Sequence, residues 1–301
     1  MAQHTRATRA AADQFGVLSR RQLSLLGVDR RAIARHVQAG RWRTHGSQTV
    51  AVHTAGLSVE AQWHRAVWEV GERIAVLDGV SALAAAGLRG LDDTFVHVSV
   101  PHTATVDPID GVVIHKVIRR VSGEQTGWPV ARTTPAVAAI RAAHWAVSDR
   151  QAALFLVMPV QQRLTTGARL LETAKIVRGR TRRAFIPRVC ADIAGGAQAL
   201  GELDFALLCR QAGLPEPERQ VVRAGPEGRI YLDVRWPCGL VVEIDGAGHQ
   251  FGLAPTDDNL RQNAVTLGGD LVLRFDLLAL RVFPDQVVAQ VRQGLARAGG
   301  L

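Results

Sequence analysis

Residues 230–245 hold two short runs of alternating apolar and polar side chains separated by Trp236-Pro237-Cys238-Gly239, and that pattern admits few folds. Ile230, Leu232 and Val234 alternate in the first run and Val242 and Ile244 in the second, with the period of two of half-buried strands. Pro237 suits the second position of a type I turn and Gly239 the left-handed position after it, so a three-residue hairpin loop pairs residue 236 with 240. Following the ladder down, Leu232 falls opposite Ile244 and Val234 opposite Val242 on one face, and Asp233 opposite Glu243 on the other. A two-residue loop would slip the register and separate the acids.

Residues directly opposite on one face of an antiparallel pair have Cβ atoms roughly 4.5–5.5 Å apart. Two carboxylates at that separation repel, share a proton or hold a cation. Fully charged oxygen ligands suit a hard ion such as Mg²⁺ or Mn²⁺, which keeps several waters and is completed by substrate phosphate. The pair Asp233 and Glu243 therefore points to a phosphodiester site. Asp245 falls on the same face one pleat on, and Glu202 lies upstream on an expected amphipathic helix carrying Leu200, Leu203 and Leu207. The competing reading is a solvated, acid-lined sheet face.

Charge is unevenly placed along the 301 residues, whose net charge is +9. Residues 1–60 hold nine Arg against three acids, whereas residues 201–301 hold ten Arg against thirteen acids. A basic front suggests a polyanion partner, and an acidic rear repels phosphate unless a bound cation inverts the local field. No apolar stretch has transmembrane length, and Met1 to Phe15 lacks the apolar core of a secretory signal, so the expectation is a cytoplasmic protein with no membrane partner. Cys190, Cys209 and Cys238 are odd in number, widely spaced and without His at zinc spacing, which indicates reduced structural thiols.

The front of the chain reads as helix, turn, helix and hairpin. Residues 5–15 form a helix ended at Gly16, and Ser19-x-x-Gln22 has the form of a capping box opening a helix with Leu23, Leu25 and Leu26 on its apolar side. Asp29 suits the N-cap of a second helix with Ile33 and Val37 inward, closed at Gly40. That leaves Arg30, Arg31, Arg35 and His36 outward, followed by Arg41 and Arg43 leading into the strand Thr49–Val52. This is the order of a winged helix-turn-helix, whose second helix enters the major groove. A small helical domain with a solvated Arg face is the bland alternative.

Residues 56–176 read as a mixed α/β domain. Helices are expected over 59–70, 135–147, 151–157 and 163–175, and strands over 95–100 and 112–117. No nucleophile, phosphate loop or metal pattern stands out there, and His97 and His115 read as histidines on a polar sheet face. Arg178, Arg180, Arg182, Arg183 and Arg188 crowd the next stretch, so residues 177–196 are expected to be a basic linker. Residues 197–301 complete a small domain of order αββαβα.

Two resemblances rest on these residues. The stretch from Gly201 to Leu295 resembles the nuclease-like domain of very-short-patch-repair endonucleases, a branch of the PD-(D/E)XK superfamily. The likeness is carried by Glu202, Gly213-Leu-Pro215, Leu232-Asp233, Val242-Glu-Ile-Asp-Gly246, His249, Asp258-x-x-Arg261 and Leu273-Arg-Phe275. The region from Phe15 through Ala39-Gly-Arg-Trp-Arg43, extended by Ser81-Ala-Leu and Gly87-Leu, is similar to the winged-helix region of AbiE-type, type IV antitoxins, which resemble transcriptional autoregulators. Together they imply a multidomain α/β and α+β chain: winged helix-turn-helix at 1–55, mixed domain at 56–176, linker at 177–196 and restriction-endonuclease-like domain at 197–301. The nuclease resemblance implies that Asp233 and Glu243 hold Mg²⁺ or Mn²⁺, with Glu202 and Asp245 supporting the ion or its water. The superfamily's motif lysine is replaced here by Asp245, which leaves His249 or Arg261 as the nearby candidates for that role. The expectation is a DNA-binding protein with a metal-dependent endonuclease domain. The alternative is an antitoxin-like regulator, with a cognate toxin as partner, whose nuclease fold serves as an inactive interaction module.

Overall fold

The computed structural model describes residues 2–91, 93–127, 130–195, 205–224, 230–245 and 271–300. The chain is a mixture of helices and several sheets, divided into two compact units, Met1–Ala142 and Ala143–Leu301.

The first unit opens with α1 (Ala2–Ala11) and a single 3-10 turn, closed where Phe15 and Gly16 both take positive φ. Strand β1 (Val17–Ser19) leads into α2 (Arg20–Leu25), whose capping box is formed: Gln22 N donates to Ser19 Oγ at 3.2 Å and Ser19 N to Gln22 Oε1 at 2.8 Å. Helix α3 (Arg30–Gln38) begins at Asp29, whose Oδ1 accepts from Ala32 N at 2.7 Å, and ends before Gly40 at φ +64°. Strands β2 (Arg43–Thr44) and β3 (Thr49–Ala51) follow, and the three strands form an antiparallel sheet in the order β1-β3-β2. Ala7, Ala11, Leu18, Leu23, Ile33, Trp42 and Val50 share one core beneath these elements. Leu25, expected among the apolar contacts, is instead 80% exposed, because the six-residue α2 turns only Leu23 fully inward.

The rest of this unit comprises α4 (Val59–Gly71), β4 (Val76–Leu77), α5 (Gly79–Ala85), β5 (Val96–Pro101), β6 (Val112–Val117), β7 (Gln125–Thr126), β8 (Arg132–Thr133) and the start of α6 (Pro135–Trp145). Five strands build a mixed sheet in the order β6-β5-β4-β8-β7. The two long strands, expected from alternation, pair in parallel from Val96↔Val112 to Pro101↔Val117.

The second unit contains α7 (Asp149–Gln161), α8 (Gly167–Ile176), α9 (Phe185–Gly195) and α10 (Phe205–Gln211). The strands β9 (Arg219–Ala224), β10 (Ile230–Arg235), β11 (Val241–Asp245) and β12 (Val272–Asp276) come next, then α11 (Leu277–Val282) and α12 (Pro284–Arg297). The division inside α6 differs from the expected boundaries at 176 and 196. Residues 185–195 are not linker: Ile186, Val189 and Cys190 are buried, and Arg281 Nε donates to the buried Asp192 at 2.7 Å. The arginine run obscured this apolar stripe, which lies at helical spacing.

The four-stranded sheet runs β12-β11-β10-β9, with β11 and β12 parallel and the other pairs antiparallel. Val234, Val242, Ile244, Leu273 and Phe275 are fully buried and pack with residues of α10, α11 and α12. The expected αββαβα order omitted β9, a strand that pairs with β10 along its whole length. The helix expected near Asp257 and Asp258 lies outside the described residues.

Candidate functional site

In the first unit, the candidate contact residues Arg30, Arg31, Arg35, Arg41 and Arg43 are all exposed. Three of them share α3, whose inward face is fixed by Ala32 and Ile33. After that helix, Arg41 Nε donates to His36 Nδ1 at 3.2 Å, and the His36 ring stacks on Trp42 at 4.2 Å. Trp42, 1% exposed, donates through Nε1 to His4 Nδ1 at 2.9 Å. Burial, with Arg41 and His4 nearby, lowers the His36 pKa and keeps the ring neutral near pH 7. Accepting at Nδ1 leaves the proton of a neutral imidazole on Nε2.

The loop between β2 and β3 is fastened by a residue that sequence reading missed. Glu69 of α4 accepts from the backbone amides of Ser47, Gln48 and Thr49 at 2.8, 2.9 and 2.8 Å, and from the Ser47 and Thr49 hydroxyls at 3.0 and 2.7 Å. Burial pushes its pKa up, but the hydroxyl and amide bonds outweigh that and hold it below the usual carboxylate value. Gly46, at φ +129°, passes so close that a Cβ there would fall 2.5 Å from the Glu69 carboxyl carbon. Arg20 Nε and Arg65 Nε bond the carbonyls of Ser47 and His45 at 2.7 and 2.9 Å. No spacing rule links position 69 to this loop, so only the fold reveals the clamp.

In the second unit the hairpin register is the expected one: Leu232 pairs with Ile244, Asp233 with Glu243 and Val234 with Val242. The loop closes through Trp236 N to Leu240 O at 3.0 Å, with Gly239 at φ +95°. Asp245 ends β11, opposite Tyr231 on one side and Asp276 on the other. Glu202, His249 and Arg261 lie outside the described residues.

Glu243 is engaged by a cation that the sequence reading did not assign. Arg274, opposite it on the parallel β12, places Nε 2.9 Å from Glu243 Oε2, with the side chains 63% and 32% exposed respectively. An exposed pair of this kind contributes little stability, but it sets a positive charge on one of the two hairpin acids. Carboxylates at 233 and 243 are the donor type a hard divalent ion needs. Arg274 competes with such an ion for one carboxylate. Among the described residues no group of three or more His, Cys, Asp or Glu could hold a metal.

The middle of the chain, read as chemically quiet, contains a buried ionic network. Asp78, fully buried, accepts from Gly79 N and Thr133 Oγ1 on one oxygen at 2.8 and 2.9 Å. Its other oxygen takes bonds from Ser99 Oγ and Arg141 Nη1 at 2.5 and 2.7 Å. Arg141 also reaches Glu124 at 2.8 Å, and Arg120 bonds both Glu124 and Ser99. Burial raises the Glu124 pKa less than Arg141, the Val121 amide and Arg120 lower it, so the carboxyl stays ionised. Each charge has a partner, which is what permits ionised groups to be buried here. Elsewhere in this unit, His97 Nδ1 sits 2.9 Å from His115 Nε2 and His97 Nε2 lies 3.1 Å from Asp93. The two His97 nitrogens thus face different partners, so this is a hydrogen-bonded chain and not a convergent ligand set.

No family model and no curated protein matches this chain. A solved structure that it resembles is that of the RV2827C protein from Mycobacterium tuberculosis, with a TM-score of 0.39 and 15% sequence identity, covering 65% of this chain and 78% of that one.

Proposed function

We propose that this chain is a DNA-binding protein in which α2, α3 and the β2–β3 hairpin act as a winged helix-turn-helix, with α3 entering the major groove. The observation that carries this reading is the outward set Arg30, Arg31 and Arg35 on a capped helix, continued by Arg41 and Arg43 towards a clamped hairpin loop. Such a surface neutralises backbone phosphates and positions a helix for base contacts. The resemblance to type IV antitoxins agrees with it and adds a cognate toxin as a candidate protein partner.

For the second unit, the opposed register of Asp233 and Glu243 supports a phosphodiesterase-type site of the PD-(D/E)XK kind. Asp233 and Glu243 would hold Mg²⁺ or Mn²⁺, which when bound would stabilise charge on the phosphate and acidify a water. Asp245 adds a carboxylate to the same strand where the superfamily has lysine, and Arg274 supplies a positive charge beside Glu243.

The Arg274–Glu243 pair also favours a second reading, an antitoxin-like regulator whose nuclease-like fold is an inactive binding module, because it ties up one of the two acids. Incubating the purified protein with single- and double-stranded DNA, with and without Mg²⁺ or Mn²⁺, separates the two. Cation-dependent cleavage that Asp233→Ala abolishes supports the nuclease; duplex binding without cleavage supports the module; neither binding nor cleavage ends both readings.

A further inference from the structure

We propose that the cavity between the end of α8 and the start of α9 binds a phosphorylated small molecule of mononucleotide size, a site separate from the DNA surface and the acidic hairpin. The cavity has a volume of about 330 Å³, at the lower end of the range of small-molecule sites. Among the described residues its charged lining is of one sign: Lys175, Arg178 and Arg183 contribute, and no acidic residue does. Lys175 counts for less, since its Nζ is paired with Glu172 at 2.6 Å. Arg178 and Arg183 are exposed at the rim. Arg183 donates through Nε to Gly179 O at 3.2 Å, which directs the chain while its terminal nitrogens remain for a ligand.

The other walls are apolar. Val177 and Ile186 are buried, at 4% and 1% exposure, and Pro187 stands beside them. His144, only 9% exposed, also lines the cavity, its ring held by Nδ1–H donation to Thr181 O at 2.6 Å. Gly179 crosses that ring so closely that a Cβ would fall 2.3 Å from His144 Cγ, so the turn bearing Arg178 can close on the ring only with glycine. Two guanidinium groups beside an apolar wall match an anionic phosphate joined to a weakly polar body. Duplex DNA offers the phosphate but not a free body to fill the cavity.

The test uses the full chain, with calorimetry and thermal unfolding in AMP, adenosine, inorganic phosphate and a short duplex oligonucleotide. AMP should bind and raise Tm, phosphate should bind more weakly, and adenosine should have no effect. Arg178→Gln and Arg183→Gln should each weaken AMP about tenfold, as loss of a charge-assisted hydrogen bond implies, with unliganded Tm unchanged. Arg183→Lys should fall between, because it keeps charge without the fork. Adenosine binding as tightly as AMP, no response to millimolar AMP or phosphate, or unchanged AMP affinity in both folded variants would overturn the proposal. A loss confined to duplex DNA would assign these arginines to the DNA backbone instead.

Discussion

Arg274 Nε lies 2.9 Å from Glu243 Oε2 across neighbouring parallel strands, so one of the two hairpin acids already has a cationic partner. If a divalent ion uses this hairpin, it must share or displace that partner. Arg274→Gln should therefore enlarge the rise in Tm produced by Mn²⁺, because tighter binding to the folded state stabilises it more, by the logarithm of the gain in affinity. Glu243→Gln should abolish the rise. A rise in the wild type that neither substitution changes would move the ion elsewhere.

Glu69 fixes the β2–β3 loop through five hydrogen bonds to Ser47, Gln48 and Thr49. Glu69→Gln replaces one acceptor oxygen with a donor facing these donors, and should cost about 1–3 kcal/mol in urea unfolding. It should also weaken duplex binding by loosening the hairpin while leaving every exposed arginine in place. Unchanged stability would mean that the loop is held by Arg20 and Arg65 alone.

Arg141 joins two buried carboxylates, Asp78 and Glu124. Arg141→Met leaves Asp78 without a cationic partner and Glu124 with Arg120 alone, and should destabilise by about 3–5 kcal/mol. Adding Asp78→Asn and Glu124→Gln should recover part of that loss, since the burial of unpaired charge is then relieved. An Arg141→Met protein as stable as wild type would show that the network carries no net stability.

Acid should destabilise the protein in two stages. Burial pushes the His64 pKa down to about 4, well below its ordinary 6.5, so the folded state resists a proton that the unfolded chain takes up. Its contribution is present above pH 6.5 and is lost as pH falls towards 4. Glu124, with its folded pKa below the ordinary 4.5, adds a further loss below that value. Urea midpoints between pH 7.5 and 3.5 read this directly; His64→Leu should make the upper stage shallower without removing it, because burial also lowers the pKa of His97 and His115, and a midpoint that rises on acidification would contradict the sign.

Local chemistry made much of this architecture readable from sequence. Ser19, Gln22 and Asp29 announce their helices because caps satisfy orphan amides within three residues. Pro237 and Gly239 fix the hairpin register because loop length sets which residues face each other. Partners distant in sequence left no such mark: Glu69 with Thr49, Arg274 with Glu243, and Arg141 with Asp78 are 20, 31 and 63 residues apart. Charge also misled, since the arginines around 178–188 drew attention away from Ile186, Val189 and Cys190, whose burial makes that stretch a packed helix. β9 was missed for another reason: Arg219, Gln220 and Arg223 break the apolar pattern of a strand held by its pairing with β10.

DNA binding through α3 is the central claim, and anisotropy titration of a labelled duplex across a range of salt tests it most directly. The wild type should bind with an affinity that falls linearly in log–log form, and Arg30→Ala, Arg31→Ala and Arg35→Ala together should weaken binding. Each phosphate interaction removed should reduce the slope by about 0.9, so the triple variant should be shallower by up to about 2.7. A folded triple variant with unchanged affinity and slope, or a wild type that does not bind duplex at low salt, would contradict the account.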